Sequence, residues 1–269
     1  MNAFSDIPIG ETRRVDRCWR VYGDVLQSAH DQTCGHIDTD TNGREDPAPK
    51  AHPSSSELAR YPGHALFFVL GAQFGVVKDL CRQDLRFKTF YDLTGSGGKA
   101  GLAALFLHKW SSVVSFESRT ANFGVAVAAR RIVRRVESGE LLTGVSAWTI
   151  EHNTFRKADW IDGDVVFFDA TVFDTLDEGV LCRYLEGRLR ALQAGSFVVL
   201  FTRCSEPLLH GPSFKLIHRQ RVEHKGDRSY GNNFTSWLFK TTMHSNDHRV
   251  GALDLQEGRR SPDGGAGFW

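Results

Sequence analysis

Hydrophobic and polar positions alternate in blocks along most of the chain, and these blocks predict strands and helices in turn. The strand-like runs are short, and they lie at residues 88–93, 112–116, 144–150, 164–168 and 197–201, of which the fourth is nearly continuously apolar. Helical spacing of apolar residues occurs at residues 99–108, 119–137 and 178–191. Short apolar strands separated by helices are typical of a parallel sheet that is covered on both faces.

The last part of this pattern contains two strands and no helix. Residues 214–223 and 234–242 predict strands joined by a loop of Gly, Asp and Asn, which indicates an antiparallel hairpin at the sheet edge. A strand–helix series followed by such a hairpin resembles the arrangement of class I methyltransferases, which use S-adenosylmethionine. The sequence therefore predicts an α/β fold of the Rossmann-like, seven-stranded class I type with a C-terminal antiparallel hairpin.

The beginning of the chain lacks this regularity. Residues 30–56 are rich in Asp, Thr, Asn, Gly, Pro and Ser, a composition typical of loops. We therefore expect an irregular N-terminal arm at residues 1–56, with a short amphipathic piece near residues 21–26 that could dock on the main domain. The capping pattern of Ser54 and Glu57 begins a helical stretch, and we expect the catalytic domain at residues 57–243 and a tail at residues 244–269.

Composition and charge limit the class of protein. With 33 Lys and Arg against 32 Asp and Glu, the chain carries a formal net charge of +1. A polyanionic partner must therefore be met by local basic patches, since there is no polybasic tail. The five cysteines are scattered without a C-x-x-C pair, so a structural zinc site or a disulfide framework is not expected. The N-terminus has no apolar core, which argues against a secretory signal, and the most apolar run is too short for a membrane span.

The strongest candidate site is the glycine-rich turn after the first predicted strand. Thr94, Gly95, Gly97 and Gly98 occupy this turn, where glycines permit a sharp bend and close approach to a ligand. The following helix begins near Lys99 and points its first N–H groups into the same space. The turn matches a loose dinucleotide fingerprint but not a Walker A loop.

Carboxylates at strand ends add chemistry to this turn. Asp92 directly precedes it, and a carboxylate there repels a pyrophosphate but suits a cationic ligand such as the methionine part of S-adenosylmethionine. Glu117 ends the second strand, where a carboxylate can accept hydrogen bonds from ribose hydroxyls. Asn153 and Thr154 follow the third strand and could reach an adenine edge. Asp169 follows the fourth strand, where the transferred methyl group would lie.

Several motifs resemble the disruptor-of-telomeric-silencing family of non-SET histone lysine methyltransferases. Residues 92–99, DLTGSGGK, are similar to that family's D-L-G-S-G-V-G-Q motif, and residues 236–239, SWLF, are similar to its Y-Y-L-H. Residues 165–173 and 195–204 resemble two further segments of the family. Tyr61 and Gly63 stand where the family has Y-G-E-T, which implies a role in cofactor binding. The resemblance covers about residues 60–243, and the short chain with its divergent core is similar to the kinetoplastid branch of the family.

This resemblance implies a reaction and a set of residues for it. A neutral lysine amine on the nucleosome core surface of histone three would attack the sulfonium methyl, and an apolar channel favours the neutral amine by desolvation. Phe173, Phe201 and Trp237 are candidates to line that channel, although ordinary core packing is the alternative. Asp169 would orient the cofactor or assist proton departure. The implied location is the nucleus, and we expect a monomer that contacts no membrane.

The sequence departs from the family pattern at three places. Thr94 replaces the first glycine, Asp169 and Ala170 stand in place of Asn-Asn, and Trp237 replaces a tyrosine.

Two local basic patches could bind DNA phosphates or an acidic histone surface. The first is on a predicted helix and the second lies in the C-terminal hairpin. Their members are Arg130, Arg131, Arg134 and Arg135, and then Arg219, Arg221, Lys225 and Arg228. A solvated helix face is the alternative interpretation of the first patch.

Three other functions stay open on the sequence alone. The chain could be a class I methyltransferase for another protein or a small molecule, or an inactive chromatin-binding module that kept the fold. A nicotinamide-dependent dehydrogenase is disfavoured by Asp92 and by the terminal hairpin.

Overall fold

A computed structural model describes residues 9–34, 63–136, 148–172, 183–223 and 233–242 of the chain. Two long helices precede the sheet, α1 (Ile9–Cys34) and α2 (Gly63–Asp79). The later helices are α3 (Lys99–Leu107), α4 (Thr120–Val136) and α5, which spans residues 183–189. Within the described part, no helix is long and apolar enough to cross a membrane.

Within the described residues, seven strands form one mixed sheet. They are β1 (Thr89–Asp92), β2 (Ser112–Phe116), β3 (Trp148–Glu151), β4 (Val165–Asp169), β5 (Phe197–Thr202), β6 (Phe214–Glu223) and β7 (Asn233–Thr241). Their order is β3-β2-β1-β4-β5-β7-β6. The first five strands are parallel, whereas β7 is antiparallel to both β5 and β6. The predicted Rossmann-like fold with its C-terminal antiparallel hairpin is therefore confirmed.

The sheet separates two hydrophobic clusters. Phe197, Val199 and Phe201 of β5 point into the first cluster, which α1 to α4 cover. Val198 and Leu200 of the same strand point into the second cluster, which contains leucines of α5. All six residues of β5 are buried, because a central strand with both faces covered has no solvent side.

Helix α1 corrects the predicted irregular arm over residues 9–34. Cys18, Tyr22, Val25 and Ala29 are buried, and their spacing of four, three and four residues forms one narrow apolar stripe. The ring of Tyr22 lies 5.2 Å from that of Phe67 in α2. The N-terminal helix is thus part of the core. The expected boundary at residues 56 and 57 lies outside the described residues.

Candidate functional site

The candidate site lies at the carboxyl ends of the parallel strands, where the strand order reverses direction. From β1 the chain extends the sheet to one side through β2 and β3, and to the other through β4 and β5. Ligands of open α/β sheets bind in the crevice at such a switch point. Asp92 pairs in register with Ser115 of β2 and Phe167 of β4. The sheet thus brings the predicted strand-end residues to one edge.

The glycine-rich turn has an unusual backbone. Gly95, Ser96, Gly97 and Gly98 all have positive φ, at 76°, 73°, 75° and 72°. A non-glycine residue in this left-handed region costs about 1–2 kcal/mol. Ser96 is the one residue of this run that is not glycine, so the cost applies there. The run ends directly at α3, so its N–H groups and the helix N-terminus lie together.

Glu117 closes over this turn. Its Oε1 accepts a hydrogen bond from the Gly98 N–H at 2.6 Å, and the Gly97 N–H also donates to the carboxylate. A Cβ added at Gly95 would overlap Glu117 Oε2 and would lie 2.8 Å from the backbone oxygen of Phe116. Only glycine at this position leaves room for the Glu117 carboxylate.

Asp92 holds the turn from the other side. Its carboxylate accepts hydrogen bonds from the Thr94 N–H at 3.3 Å and from the Gly101 N–H at 3.4 Å. The acceptor thus joins the end of β1 to the turn and to the first turn of α3.

Four ionisable side chains are buried together at this edge. Asp92 is 0% exposed, Glu117 1%, Asp169 7% and Lys99 8%. Burial raises the pKa of Asp92 to about 7, with Asp169 adding to the rise, while backbone hydrogen bonds oppose it. Burial and then Asp92 raise the pKa of Glu117 to about 8. Burial lowers the pKa of Lys99 to about 8, against the opposing effects of Asp169 and Glu117.

This cluster has a clear electrostatic preference. Three carboxyl groups and one ammonium group are buried here, and burial first, with a smaller effect of a neighbouring carboxyl, raises the pKa of Asp92 and of Glu117. A nearby positive charge favours ionised carboxylates. The arrangement therefore suits a ligand that brings a positive charge and hydrogen-bond donors.

Thr94 has a role that sequence reasoning missed. Its Oγ1 accepts a hydrogen bond from the Asp169 N–H at 2.7 Å, which ties the turn after β1 to the end of β4. The Asp169 carboxylate in turn accepts hydrogen bonds from the N–H and the hydroxyl of Thr171. The threonine that departs from the family's glycine thus fixes the spacing between two strand ends.

Tyr22 of α1 is a second contribution that the sequence did not reveal. Its hydroxyl, fully buried, donates to the backbone oxygen of Lys99 at 3.3 Å. This hydrogen bond joins α1 to the first residue of α3. The four-three-four spacing of apolar residues in α1 was the only sequence signal for this contact.

Asn153 and Thr154 lie just beyond β3, at the predicted edge. Asn153 Oδ1 accepts a hydrogen bond from the Thr154 N–H at 2.8 Å, so the pair forms a local turn. Both residues are half-buried. Their contact with an adenine stays a prediction.

The predicted lysine channel needs correction. Phe201 belongs to the first hydrophobic cluster, where its ring lies 5.0 Å from that of Phe167. Trp237 belongs to the second cluster and donates from Nε1 to Thr202 Oγ1 at 3.1 Å. The two side chains lie on opposite faces of the sheet, so the prediction that they line one channel is wrong and core packing explains both.

Three further cofactor or channel predictions, for Phe173, Tyr61 and Gly63, stay predictions. Phe173 and Tyr61 lie outside the described residues. Gly63 begins α2.

The two basic patches lie far apart. Arg130 donates to the backbone oxygen of Trp148 in β3 at 3.3 Å, so it joins α4 to one end of the sheet. Arg219 and Arg221 lie on β6, which forms the other end. Six strand spacings separate β3 from β6, about 29 Å at 4.8 Å each.

The predicted members of these patches differ in exposure. Arg131, Arg134 and Arg135 are exposed on α4, as are Arg219 and Arg221 on β6. Lys225 and Arg228 lie outside the described residues. The described arginines of the two predicted patches therefore form two separate surfaces, one on α4 and one on β6.

Comparisons with known proteins match structure but not sequence. No family model and no curated protein matches the chain. Among solved structures, TrmN from Thermus thermophilus is 17% identical with a TM-score of 0.44, over 67% of this chain and 52% of that one. The N-methyltransferase NodS from Bradyrhizobium japonicum WM9 is 9% identical with a TM-score of 0.41, over 65% and 97%. The tRNA methyltransferase TrmK from B. subtilis is 12% identical with a TM-score of 0.38, over 63% and 64%. Likeness at this level says nothing about the ligand or acceptor of this chain.

Proposed function

We propose that this protein is a methyltransferase that uses S-adenosylmethionine. The observation that carries the proposal is the pair of buried carboxylates, Asp92 and Glu117, which accept hydrogen bonds from backbone N–H groups at the two ends of a left-handed glycine turn at the switch point of the sheet. A dinucleotide would place a pyrophosphate against this turn, where Asp92 repels it. S-adenosylmethionine instead brings a sulfonium and an ammonium group, together with ribose hydroxyls that donate hydrogen bonds.

The residues present fit this ligand. Glycine at position 95 lets the Glu117 carboxylate lie directly against the turn, since an added Cβ would meet Glu117 and the backbone oxygen of Phe116. Glu117 can accept hydrogen bonds from two vicinal hydroxyls, and Asp92 offers a carboxylate to an ammonium group. S-adenosylmethionine supplies an electrophilic methyl group. The chain's own contribution would be alignment of the acceptor and exclusion of water.

The acceptor that we propose first is a lysine on the nucleosome surface of histone three, methylated in the nucleus by a monomeric enzyme. The resemblance of residues 92–99 to the histone-methyltransferase motif supports this acceptor. Exposed cations on α4 and β6 would contact DNA phosphates or histone carboxylates. Asp169, buried at the end of β4, would orient the cofactor or assist proton departure.

A second acceptor class has an observation in its favour. Because Phe201 and Trp237 are core residues on opposite faces, the described part of the chain contains no channel built from them. A class I methyltransferase that acts on another protein or a small molecule needs no such channel. Phe173 stays a candidate lining residue for the histone reaction.

Transfer of labelled methyl groups tests the acceptor. Nucleosomes, free histones and a cell extract would each be incubated with tritiated S-adenosylmethionine and wild-type protein, Asp92→Asn or Asp84→Asn. Asp84 is an exposed carboxylate paired with Arg86, so its variant is a charge-matched control. We expect label on histone three with wild type and Asp84→Asn, and at least about tenfold less with Asp92→Asn.

The other outcomes separate the alternatives. Label on a different protein or a small molecule would replace the histone proposal but keep the methyltransferase. Cofactor binding without any transfer would favour an inactive binding module.

A further inference from the structure

Strand β6 is the last strand of the sheet that the described residues form. It is ten residues long and pairs only with β7 among the described strands. Alternate residues of an edge strand point their N–H and C=O groups outward. A long strand with a free edge is a template for another extended chain unless charge or a bulge prevents pairing.

A bulge divides β6 into two parts. The register shifts between Leu216 and His218, and Ile217 packs against the first hydrophobic cluster. After the bulge the pairing with β7 is regular from His218 to Glu223. This regular stretch presents an undistorted edge for pairing.

The exposed side chains of this stretch are positively charged. Arg219 and Arg221 are both exposed, and Glu223, which ends the strand, is the only acidic residue of β6. Their β7 partners are Trp237 and Thr235, so both arginines lie on the same face of the sheet. Side chains two residues apart in a strand are separated by about 6.8 Å. Carboxylates at alternate positions of a second extended chain have the same spacing.

Arg219 is prepared for a carboxylate. Its guanidinium carbon lies 4.9 Å from the centre of the buried Trp237 ring. Stacking on an aromatic face holds the guanidinium while its N–H edge can still make paired hydrogen bonds. Trp237, which sequence reasoning assigned to the lysine channel, thus supports a surface arginine.

An exposed apolar side chain completes the surface. Leu216 is 43% exposed and pairs with Phe239, which places it on the same face as the two arginines. Main-chain donors and acceptors, two arginines and a leucine together suit a peptide. A nucleic acid would use the arginines but neither the carbonyl groups of the strand nor the leucine.

We propose that the free edge of β6 binds an extended acidic segment of a partner protein, which adds as a further strand and sets alternate Asp or Glu side chains against Arg219 and Arg221. Affinity would come from main-chain hydrogen bonds, and selectivity from the charged side chains at alternate positions. This surface is independent of the ligand at the switch point.

Fluorescence polarisation with two labelled peptides tests the proposal. In the first, Glu and Val alternate over the length of β6. In the second, Pro replaces each Val, so that the charge is the same but the chain cannot pair as a strand. We expect the Glu–Val peptide to bind at least about tenfold more tightly than the Glu–Pro peptide, because only the first gains the main-chain hydrogen bonds.

Two double variants locate the surface. Arg219→Gln with Arg221→Gln removes the proposed carboxylate partners, whereas Arg131→Gln with Arg134→Gln removes the same charge from α4. The first should weaken binding of the Glu–Val peptide by about fivefold or more, as two partly exposed ion pairs predict, and the second should change it little. Thermal unfolding checks that both variants are folded, and hydrogen exchange should slow at residues 214–223 when the peptide binds.

Several results would overturn the proposal. Absence of binding by the Glu–Val peptide would do so, as would equal affinity of the two peptides, which indicates charge alone. If the α4 double variant weakened binding of the Glu–Val peptide as much as the β6 double variant does, the attraction would depend on the net charge of the protein and not on the β6 surface. Binding of a DNA duplex that depends on Arg219 and Arg221, without peptide binding, would identify the surface as a nucleic-acid site instead.

Discussion

Replacing Gly95 by alanine perturbs the centre of the candidate site with a single methyl group. The added Cβ would overlap Glu117 Oε2 and lie 2.8 Å from the Phe116 backbone oxygen. Phe116 is held in β2 by its pairing with Glu151 of β3, so the Glu117 side chain must move instead. It would then lose its hydrogen bonds from the N–H groups of Gly97 and Gly98.

Two contributions set the magnitude of the effect on stability. Alanine at a φ of +76° costs about 1–2 kcal/mol in this left-handed region. A lost hydrogen bond that leaves a buried group unpaired costs about 1–3 kcal/mol. Together they predict a destabilisation of about 2–5 kcal/mol, which for a domain of this size lowers Tm by roughly 4–20 °C.

Cofactor affinity should fall in the same variant. Displaced Glu117 no longer meets the ribose hydroxyls, and loss of one charged hydrogen bond weakens binding by about tenfold or more. Differential scanning calorimetry and isothermal titration with S-adenosylmethionine measure the two effects.

Gly75→Ala is the matched control for this substitution. Gly75 lies in α2, and a Cβ there would meet nothing within 4 Å. Alanine in a helix interior stabilises by about 0.5–1 kcal/mol relative to glycine. If Gly95→Ala had the same Tm and the same cofactor affinity as Gly75→Ala, the assignment of Glu117 to the site would be refuted.

Three further predictions concern the groups around the turn. Burial raises the pKa values of Asp92 and Glu117 to about 7 and about 8. The folded protein therefore holds protons that the unfolded chain releases, and the free energy of unfolding should fall as the pH rises from about 5 to about 8. Urea unfolding should show this slope, and Glu117→Gln should flatten it; an unchanged slope would contradict the burial of this carboxyl. Thr94→Val removes the acceptor for the Asp169 N–H and should cost about 1–3 kcal/mol, whereas Thr94→Ser should restore most of it in the same unfolding measurement. Tyr22→Phe removes the hydrogen bond to the start of α3 and should lower the free energy of unfolding by about 0.5–1.5 kcal/mol. Titration should also show slower association or weaker binding of the cofactor. If neither stability nor cofactor binding changed, α1 would not support the site.

The strands at the centre of the sheet were accessible to sequence reasoning. Residues 165–168 and 197–201 are apolar on both faces, as buried parallel strands require. Asp92, Glu117 and Asp169 follow such runs directly, so their common edge could be predicted once the fold class was recognised. Helix α1 could not be predicted in the same way, because charged and polar residues surround its stripe of single apolar positions.

The side-chain faces of the hairpin were also beyond the sequence. Alternation within β5 places Leu200 and Phe201 on opposite faces, but the face of Trp237 depends on its register with β5. In the structure Trp237 pairs with Leu200, and a shift of one residue would have placed it beside Phe201. The bond between Thr94 and Asp169 likewise joins residues that only the assembled sheet brings together.

Calorimetric titration of S-adenosylmethionine into the wild-type protein, Asp92→Asn and Glu117→Gln tests the central claim most directly, with NAD as the competing ligand. The account predicts that the wild type binds S-adenosylmethionine with one site, that each variant binds it about tenfold or more weakly, and that NAD gives no signal. Binding of NAD in place of S-adenosylmethionine, or equal affinity of S-adenosylmethionine for all three proteins, would contradict it.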